Sequence, residues 1–179
     1  MEWPFSPTWA KAESHRPGFA QFYYLFDKDV RVEWERAGYA VLNHGRRFAI
    51  QVYWLMVELN NGGLEQYFWN SSGDFAEETI RELKCMGQSQ AAEILQRAAV
   101  RLMGSSDMIT DTNARRALIR ERLGTHPFND DDDEERLALL VGKSDLRTET
   151  RELDNIQTDV ITAVVIWMRS NSKLFDHIK

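Results

Sequence analysis

The sequence predicts an all-α fold, a single compact helical-bundle domain of about seven or eight helices. Three observations predict it. Apolar residues recur at three- and four-residue intervals in every long segment, which is the spacing of one helix face. Glycines stand where these patterns stop, as at helix ends. The 179 residues are 43% hydrophobic and 28% charged, a composition typical of a folded globular domain.

The most continuously apolar stretch predicts the central helix of the bundle. Nine of the ten residues from Phe48 to Val57 are apolar. Such a run also suits a buried strand. The whole segment from Arg46 to Leu59 covers 14 residues, however, and this length favours a helix that is buried on most sides.

The double glycine after this run predicts a helix end followed by a turn. Because Gly readily adopts the left-handed conformation that ends helices, we expect the turn at Asn61–Gly63 to connect two helices. A hairpin turn is the alternative. Residues 64–69 then form a short helix with Gln66 and Asn70 four apart on one face. We expect these amides to be structural groups that cap neighbouring backbone, and ligand recognition is the alternative.

The N-terminal residues differ from the rest, which predicts an arm at 1–27 and an all-α domain at 28–179. The first 26 residues hold eight of the twenty aromatic side chains and three of the four prolines. The prolines argue against one long helix there. We expect a packed, partly irregular arm, with a homodimer contact as the alternative. Asp27 or Asp29 is then expected to cap a helix that runs to about Leu42.

Four further helices are expected after the double glycine and the short helix at residues 64–69. The first ends at Gly87 and the second at Gly104. The third starts at Asp111 or Thr112, and the fourth carries apolar residues at helical spacing despite many β-branched side chains, which also suit a strand. The third helix is expected to turn Ala114, Ala117 and Leu118 inward and to expose Arg115, Arg116, Arg120 and Arg122.

Negative charge is concentrated in the C-terminal third. Residues 1–129 carry a net charge of −1 and residues 130–179 a net charge of −5. The centre of this acidity is the acid tract, which consists of Asp130, Asp131, Asp132, Asp133, Glu134 and Glu135. The tract is not a calcium loop, because it lacks the Gly and the final Glu of that motif. Two interpretations stay open. The tract is either a solvated loop whose carboxylates stabilise the positive N-terminal end of the next helix, or a partner-binding surface.

No local pattern of catalysis or of metal binding stands in the sequence. The four histidines are too far apart for zinc-ligand spacing, and the double glycine lacks the lysine of a phosphate loop. No serine lies in a nucleophile elbow. We therefore expect no cofactor and no metal, and we rank an enzyme third among the functional hypotheses.

Charge and hydropathy also limit the partners and the compartment. There is no basic footprint for direct nucleic-acid binding and no apolar run of the ~18 residues that a membrane span needs. The N-terminus lacks the pattern of a secretory signal. With a single cysteine, Cys85, the expectation is a cytoplasmic, reduced setting.

The segment from Asn60 to Gly73 resembles a bacterial DNA-mimic-protein-like family. Members carry Asn-Gly-Gly, Gln-Tyr-Phe and Asn in this order, which here are Asn61, Gly62, Gly63, Gln66, Tyr67, Phe68 and Asn70, with Gly73 closing the motif. The C-terminal part, with Leu153-Asp154, Ile166-Trp167, Asn171 and Phe175, is similar to the family's ending, so the resemblance covers residues 28–178.

This resemblance implies an all-α domain and, in the member that typifies the family, an acidic surface that binds transcription regulators in place of DNA. The leading hypothesis is therefore a non-enzymatic acidic binding protein whose acid tract engages a protein partner with a basic surface, such as a DNA-binding regulator. The alternative is an immunity-type or structural interaction protein that acts by shape and apolar contact.

Overall fold

The structure, a computed structural model, describes residues 18–124 and 142–175. No residue in these ranges lies in a β-strand, which confirms the all-α class. A π-helix, Phe26–Val30, joins the first two α-helices, and the short 3-10 turns are Tyr39–Val41, Ser71–Phe75 and Ser172–Leu174. The α-helices that lie wholly within the described ranges are α1 (Phe19–Leu25), α2 (Arg31–Ala37), α3 (His44–Trp69), α4 (Ala76–Cys85), α5 (Ser89–Met103), α6 (Thr112–Leu123) and α7 (Arg147–Ser170).

The chain divides into two units. The first unit consists of Met1–Ile50 together with Thr158–Lys179, and the second is Gln51–Gln157. Helices α3 and α7 each contribute residues to both units. None of the helices in the described ranges is long and apolar enough to cross a membrane.

Aromatic side chains form much of the core of the first unit. Phe19, Phe22 and Phe26 on α1 and the π-helix are fully buried. The ring of Trp167 on α7 meets the rings of Phe48 and Phe175 edge to face, at centroid distances of 5.5 and 6.2 Å. Such tilted pairs are the favoured geometry of stacked aromatic side chains.

The helix expected to begin at Asp27 or Asp29 begins earlier, so that prediction was wrong. In the described part of the chain, helical structure is present from Phe19 and continues through the π-helix and α2 to Ala37. It ends there, and not near Leu42, because Gly38 takes a φ of 82°. Asp29 caps nothing. Its buried carboxylate accepts a 2.8 Å hydrogen bond from Arg46 Nε in an ion pair.

Helix α3 confirms the predicted central helix. Every residue from Phe48 to Leu59 is buried. The backbone leaves helical geometry at Gly62 (φ −151°, ψ 18°) and Gly63 (φ 77°, ψ −168°), so α3 consists of two helices joined at a kink. This confirms the predicted turn between helices.

Helices α4 to α6 follow the predicted pattern at their ends. Gly87 and Gly104 take φ values of 76° and 78° after α4 and α5. The carboxylate of Asp111 caps α6 by accepting a 2.7 Å hydrogen bond from the backbone N–H of Ala114. Such a cap stabilises a helix by about 1 kcal/mol.

The predicted inward face of α6 was wrong. Ala114 and Ala117 are exposed, whereas Arg115 and Ile119 are completely buried. The reason is that the guanidinium of Arg115 finds a full set of acceptors inside the unit, which the next subsection describes.

Helix α7 confirms the choice of helix over strand for the last long segment. Its β-branched residues Val160, Ile161, Val164 and Val165 are buried. Burial on one helix face has therefore overridden their preference for strands.

Candidate functional site

The double-glycine turn is fastened to the start of α7. The backbone N–H of Leu64 donates to the hydroxyl of Thr150 at 3.2 Å. Next along the chain, the buried Glu65 accepts a 2.7 Å hydrogen bond from the Ser144 hydroxyl. A Cβ added to Gly63 would lie 3.0 Å from a carboxylate oxygen of Glu65 and 3.2 Å from Thr150 Oγ1. The turn therefore has both an unusual backbone conformation and close neighbours on its inner side.

The polar residues that follow the turn converge on one buried carboxylate, that of Glu58. This side chain, on the upstream part of α3, is 4% exposed. It accepts hydrogen bonds from Gln66 Nε2 at 2.6 Å and from Asn70 Nδ2 at 3.1 Å to each oxygen. The hydroxyl of Ser72 lies 3.1 Å from its Oε1. These four polar residues form a single cluster around a buried carboxyl group, the Glu58 cluster. Glu58 and Gln66 lie on the two parts of α3, Asn70 directly follows α3, and Ser72 lies in the 3-10 turn Ser71–Phe75.

Burial governs the acidity of this carboxyl. Desolvation raises the pKa of Glu58, and the hydrogen bonds from Asn70, Gln66 and Ser72 lower it by a smaller amount in total. No ion pair offsets the charge of Glu58 within the described residues, because its neighbours are neutral donors. The cluster is therefore held together by hydrogen bonds to a carboxyl group that resists ionisation.

The motif helix is the downstream part of α3, residues 64–69, and an arginine binds its C-terminal end. The fully buried Arg115 of α6 donates from Nε to the carbonyl of Phe68 at 2.6 Å and from Nη2 to the carbonyl of Asn70 at 2.7 Å. Its Nη1 donates to the carbonyl of Ile109 at 2.7 Å, and Nη2 also pairs with Asp74 at 2.8 Å. The last carbonyls of a helix have no partner within the helix, so the guanidinium supplies the donors that they lack.

A second arginine acts on the next carbonyl of the same helix end. Arg116 Nε donates to the carbonyl of Trp69 at 2.9 Å. The guanidinium groups of Arg116 and Arg120 both lie 5.3 Å from the centre of the Trp69 ring. Positive charge here also complements the negative end of the helix dipole.

Gly73 permits this arrangement by its size. A Cβ at this position would lie 2.9 Å from the carbonyl oxygen of Tyr67 and 3.0 Å from Arg115 Nε. Its φ is not in the left-handed region. The requirement for glycine at this position comes from the close approach of the Tyr67 carbonyl oxygen and of Arg115.

The structure brings most of the predicted motif residues together. The turn is formed by Gly62 and Gly63. The Glu58 cluster includes Gln66 and Asn70, and Gly73 lies beside Arg115. Tyr67 and Phe68 are buried, as expected from their inward position, and Asn61 is exposed. The acid tract, from Asp130 to Glu135, lies outside the described residues.

Three important residues were missed by sequence reasoning: Glu58, Glu65 and Arg115. Sequence reasoning also gave Gln66 and Asn70 the wrong acceptor, since they bond a carboxylate and not the backbone. One signal was available. Glu58 directly follows a run of apolar residues that predicts a helix buried on most sides, and that prediction applied to Glu58 too. Arg115 offered no such signal, because four arginines on one helix normally indicate a solvated face.

Three of the five described carboxylates of the C-terminal third lie beside arginines of α5. Arg101 lies 3.2 Å from the buried Glu149 and 3.7 Å from Asp145, and Arg97 pairs with Glu152. These carboxylates do not present uncompensated negative charge. In the described ranges, no group of three or more His, Cys, Asp or Glu side chains is arranged to hold a metal ion. Cys85 is a free, exposed thiol.

The fold and the site together define an all-α protein in which a buried carboxyl cluster links the two sides of the double-glycine turn and a buried arginine binds the end of the helix that follows. The chain belongs to the DMP19-like protein family, whose model matches residues 40–171. The match includes the turn, the Glu58 cluster and α6, and it confirms the family resemblance carried by the motif. No curated protein and no solved structure matches the chain.

Proposed function

We propose that this chain is a non-enzymatic acidic binding protein of the DNA-mimic type. Its partner is a protein with a basic, DNA-binding surface, such as a transcription regulator, and its acid tract contacts that surface. Membership of the DMP19-like family is the observation that carries the proposal.

The distribution of charge supports the acid tract as the contact. The described residues carry 18 basic and 19 acidic side chains, which leaves a net charge of −1 out of −6 for the whole chain. The remaining net charge of −5 belongs to residues 1–17, 125–141 and 176–179, and six of their nine acidic residues form the tract. Charge complementarity of this kind accelerates association and selects the partner.

The number of carboxylates in the acid tract limits how much DNA it can imitate. Six residues span at most about 20 Å when fully extended, and duplex DNA of that length carries about 12 phosphate charges. The tract offers six carboxylates. It therefore replaces a short stretch of one DNA strand, and it contacts a correspondingly small part of a DNA-binding surface.

The motif supports a scaffold role for the turn in this function. The amides of Gln66 and Asn70 are bonded to Glu58, and Arg115 is bonded to backbone carbonyls. These groups are directed into the unit. Their role in the proposal is to hold the helices that flank the turn.

Displacement of proteins from immobilised DNA tests the proposal. Proteins from a lysate of the organism that encodes the chain are bound to duplex DNA beads and then challenged with the purified chain. We expect specific release of at least one DNA-binding protein. Release should be lost in the tract variant, in which Asp130, Asp131, Asp132 and Asp133 are each changed to Asn.

A matched variant controls for net charge. The control variant changes four exposed acids elsewhere, Glu77→Gln, Glu93→Gln, Asp107→Asn and Glu121→Gln, and so removes the same number of charges. It should release the partner as the unmodified chain does. Equal release by the tract variant, or no release by the unmodified chain at low salt, would contradict the proposal.

Exposed apolar side chains favour a second candidate, binding by shape and apolar contact. In the first unit Tyr24, Val32, Val41 and Ile166 are 51 to 68% exposed. An interface built on such residues keeps its affinity as salt rises, because screening acts only on charges. Salt dependence therefore separates the two candidates.

A further inference from the structure

The hydroxyl of Ser72 lies between two acceptors and has one proton to give. Its oxygen is 3.1 Å from Glu58 Oε1 and 3.1 Å from the backbone carbonyl oxygen of Tyr67. A serine hydroxyl donates once and can accept through its lone pairs. At any moment it therefore donates to one of these two oxygens.

The other two neighbours of Glu58 can act only as hydrogen-bond donors to it. Gln66 and Asn70 both turn their amide nitrogens toward the carboxyl group. An ionised carboxylate accepts from all three neighbours, whereas a protonated carboxyl also needs an acceptor for its own O–H. Among the three, Ser72 is the one whose oxygen can accept.

We propose that Glu58 takes up a proton in the folded protein and that Ser72 then reverses its hydrogen bond. In the ionised state Ser72 O–H donates to Glu58 Oε1. In the protonated state Glu58 donates through Oε1 to Ser72 Oγ, and Ser72 O–H donates to the carbonyl of Tyr67. The hydrogen bonds from the side-chain amides of Gln66 and Asn70 persist in both states. The cluster is thus a proton-linked lock on the double-glycine turn, and it holds the turn more firmly when it is protonated.

Charged groups on the neighbouring elements do not replace the proton. Each buried or half-buried charged side chain next to the motif has partners other than Glu58. These side chains are Arg115, Arg116 and Arg120 on α6, Asp74 in the turn Ser71–Phe75, Glu65 on α3, Glu78 on α4 and Glu149 on α7. Desolvation, which raises the pKa of Glu58 above 4.5, is accordingly the dominant influence on this carboxyl.

The sign of the linkage follows from this direction. A carboxyl whose pKa is higher in the folded than in the unfolded protein binds its proton preferentially in the folded state. Its stabilising contribution is complete below the unfolded pKa and is lost as the pH rises through the folded pKa. The lock is therefore tightest in mildly acidic solution.

A titration of the intact chain tests the proposal directly. The carboxyl carbon of Glu58 is followed by NMR between pH 4 and pH 8, with Glu58→Gln used to assign the signal. We expect a midpoint above 4.5, the ordinary value for Glu. A midpoint at or below 4.5 would overturn the proposal, because the carboxylate would then stay ionised inside the fold.

Two serine variants test whether Ser72 is a partner of the neutral form of residue 58. The amide introduced by Glu58→Gln mimics the protonated carboxyl, so Ser72 should accept from it. Adding Ser72→Ala to Glu58→Gln should lower the urea midpoint of unfolding, and adding the neighbouring Ser71→Ala should not. Equal midpoints for the two double variants would show that Ser72 is no partner of the neutral form. If Glu58→Gln does not fold, the same comparison is made with single variants of the unmodified chain at a pH below the midpoint found by NMR, where the same difference is expected.

Discussion

Gly63 and Gly73 are needed in the motif for different physical reasons. Gly63 has a φ of 77°, which places it in the left-handed region, and a Cβ there would also press on Glu65 and Thr150. The φ of Gly73 is not in the left-handed region, but the Tyr67 carbonyl oxygen and Arg115 lie too close to leave room for a methyl group. A rule based only on turn conformation would explain the first glycine and miss the second.

Substitution of Gly63 should reveal both of its constraints. We expect Gly63→Ala to lower the free energy of unfolding by more than the ~1–2 kcal/mol of backbone strain alone. Gly87→Ala is the control, since Gly87 has a similar φ of 76° and nothing within 4 Å of its added Cβ. Urea unfolding of the two variants gives the difference. Equal losses would show that the neighbours of Gly63 adjust without cost.

The amides of the Glu58 cluster should act through stability. Gln66→Ala and Asn70→Ala each remove a donor to a buried carboxyl, and each should cost about 1–3 kcal/mol. Asn61→Ala, within the same motif but exposed, should cost little. Thermal unfolding checks the three variants. A variant at 66 or 70 that kept its stability but lost partner binding would instead make these amides a recognition site.

At the scale of elements, α6 determines where the motif helix ends. Two of its arginines donate hydrogen bonds to the carbonyls of Phe68, Trp69 and Asn70. The chain can then leave the helix and enter the turn Ser71–Phe75 with its carbonyls satisfied. One buried cation thus links α6, the motif helix and Asp74.

Removal of that cation should be costly. Arg115→Met keeps much of the side-chain volume but leaves buried carbonyls without donors and Asp74 without its partner. We expect a loss of about 3–5 kcal/mol in the free energy of unfolding. Arg122→Met, an exposed position on the same helix, is the control and should change little. Chemical denaturation measures both, and similar values would contradict the role assigned to Arg115.

The helices were easier to predict than the contacts between them. Apolar spacing and glycine stops located α4, α5, α6 and α7, because both depend on residues adjacent in sequence. The start of α1 was missed because the aromatic residues after Gly18 were grouped with the prolines before it. The Glu58 cluster and the buried Arg115 depend on partners up to 47 residues apart. No local pattern records such a pairing.

At the scale of the whole molecule, net charge says less than its placement. The described part of the chain is almost neutral, with a net charge of −1. Several of its carboxylates on or before α7 lie beside arginines of α5. The proposal of DNA mimicry therefore depends on the acid tract and would fail if that tract made no contact with the partner.

The salt dependence of partner binding tests this claim most directly. The protein released from DNA beads is titrated with the unmodified chain, the tract variant and the control variant between 50 and 300 mM salt. Because close charge pairs are screened by salt, we predict a steep loss of affinity for the unmodified chain and the control variant. The tract variant should bind more weakly at low salt and with a flatter dependence. The same slope for all three proteins, or an affinity that salt does not change, would contradict the account.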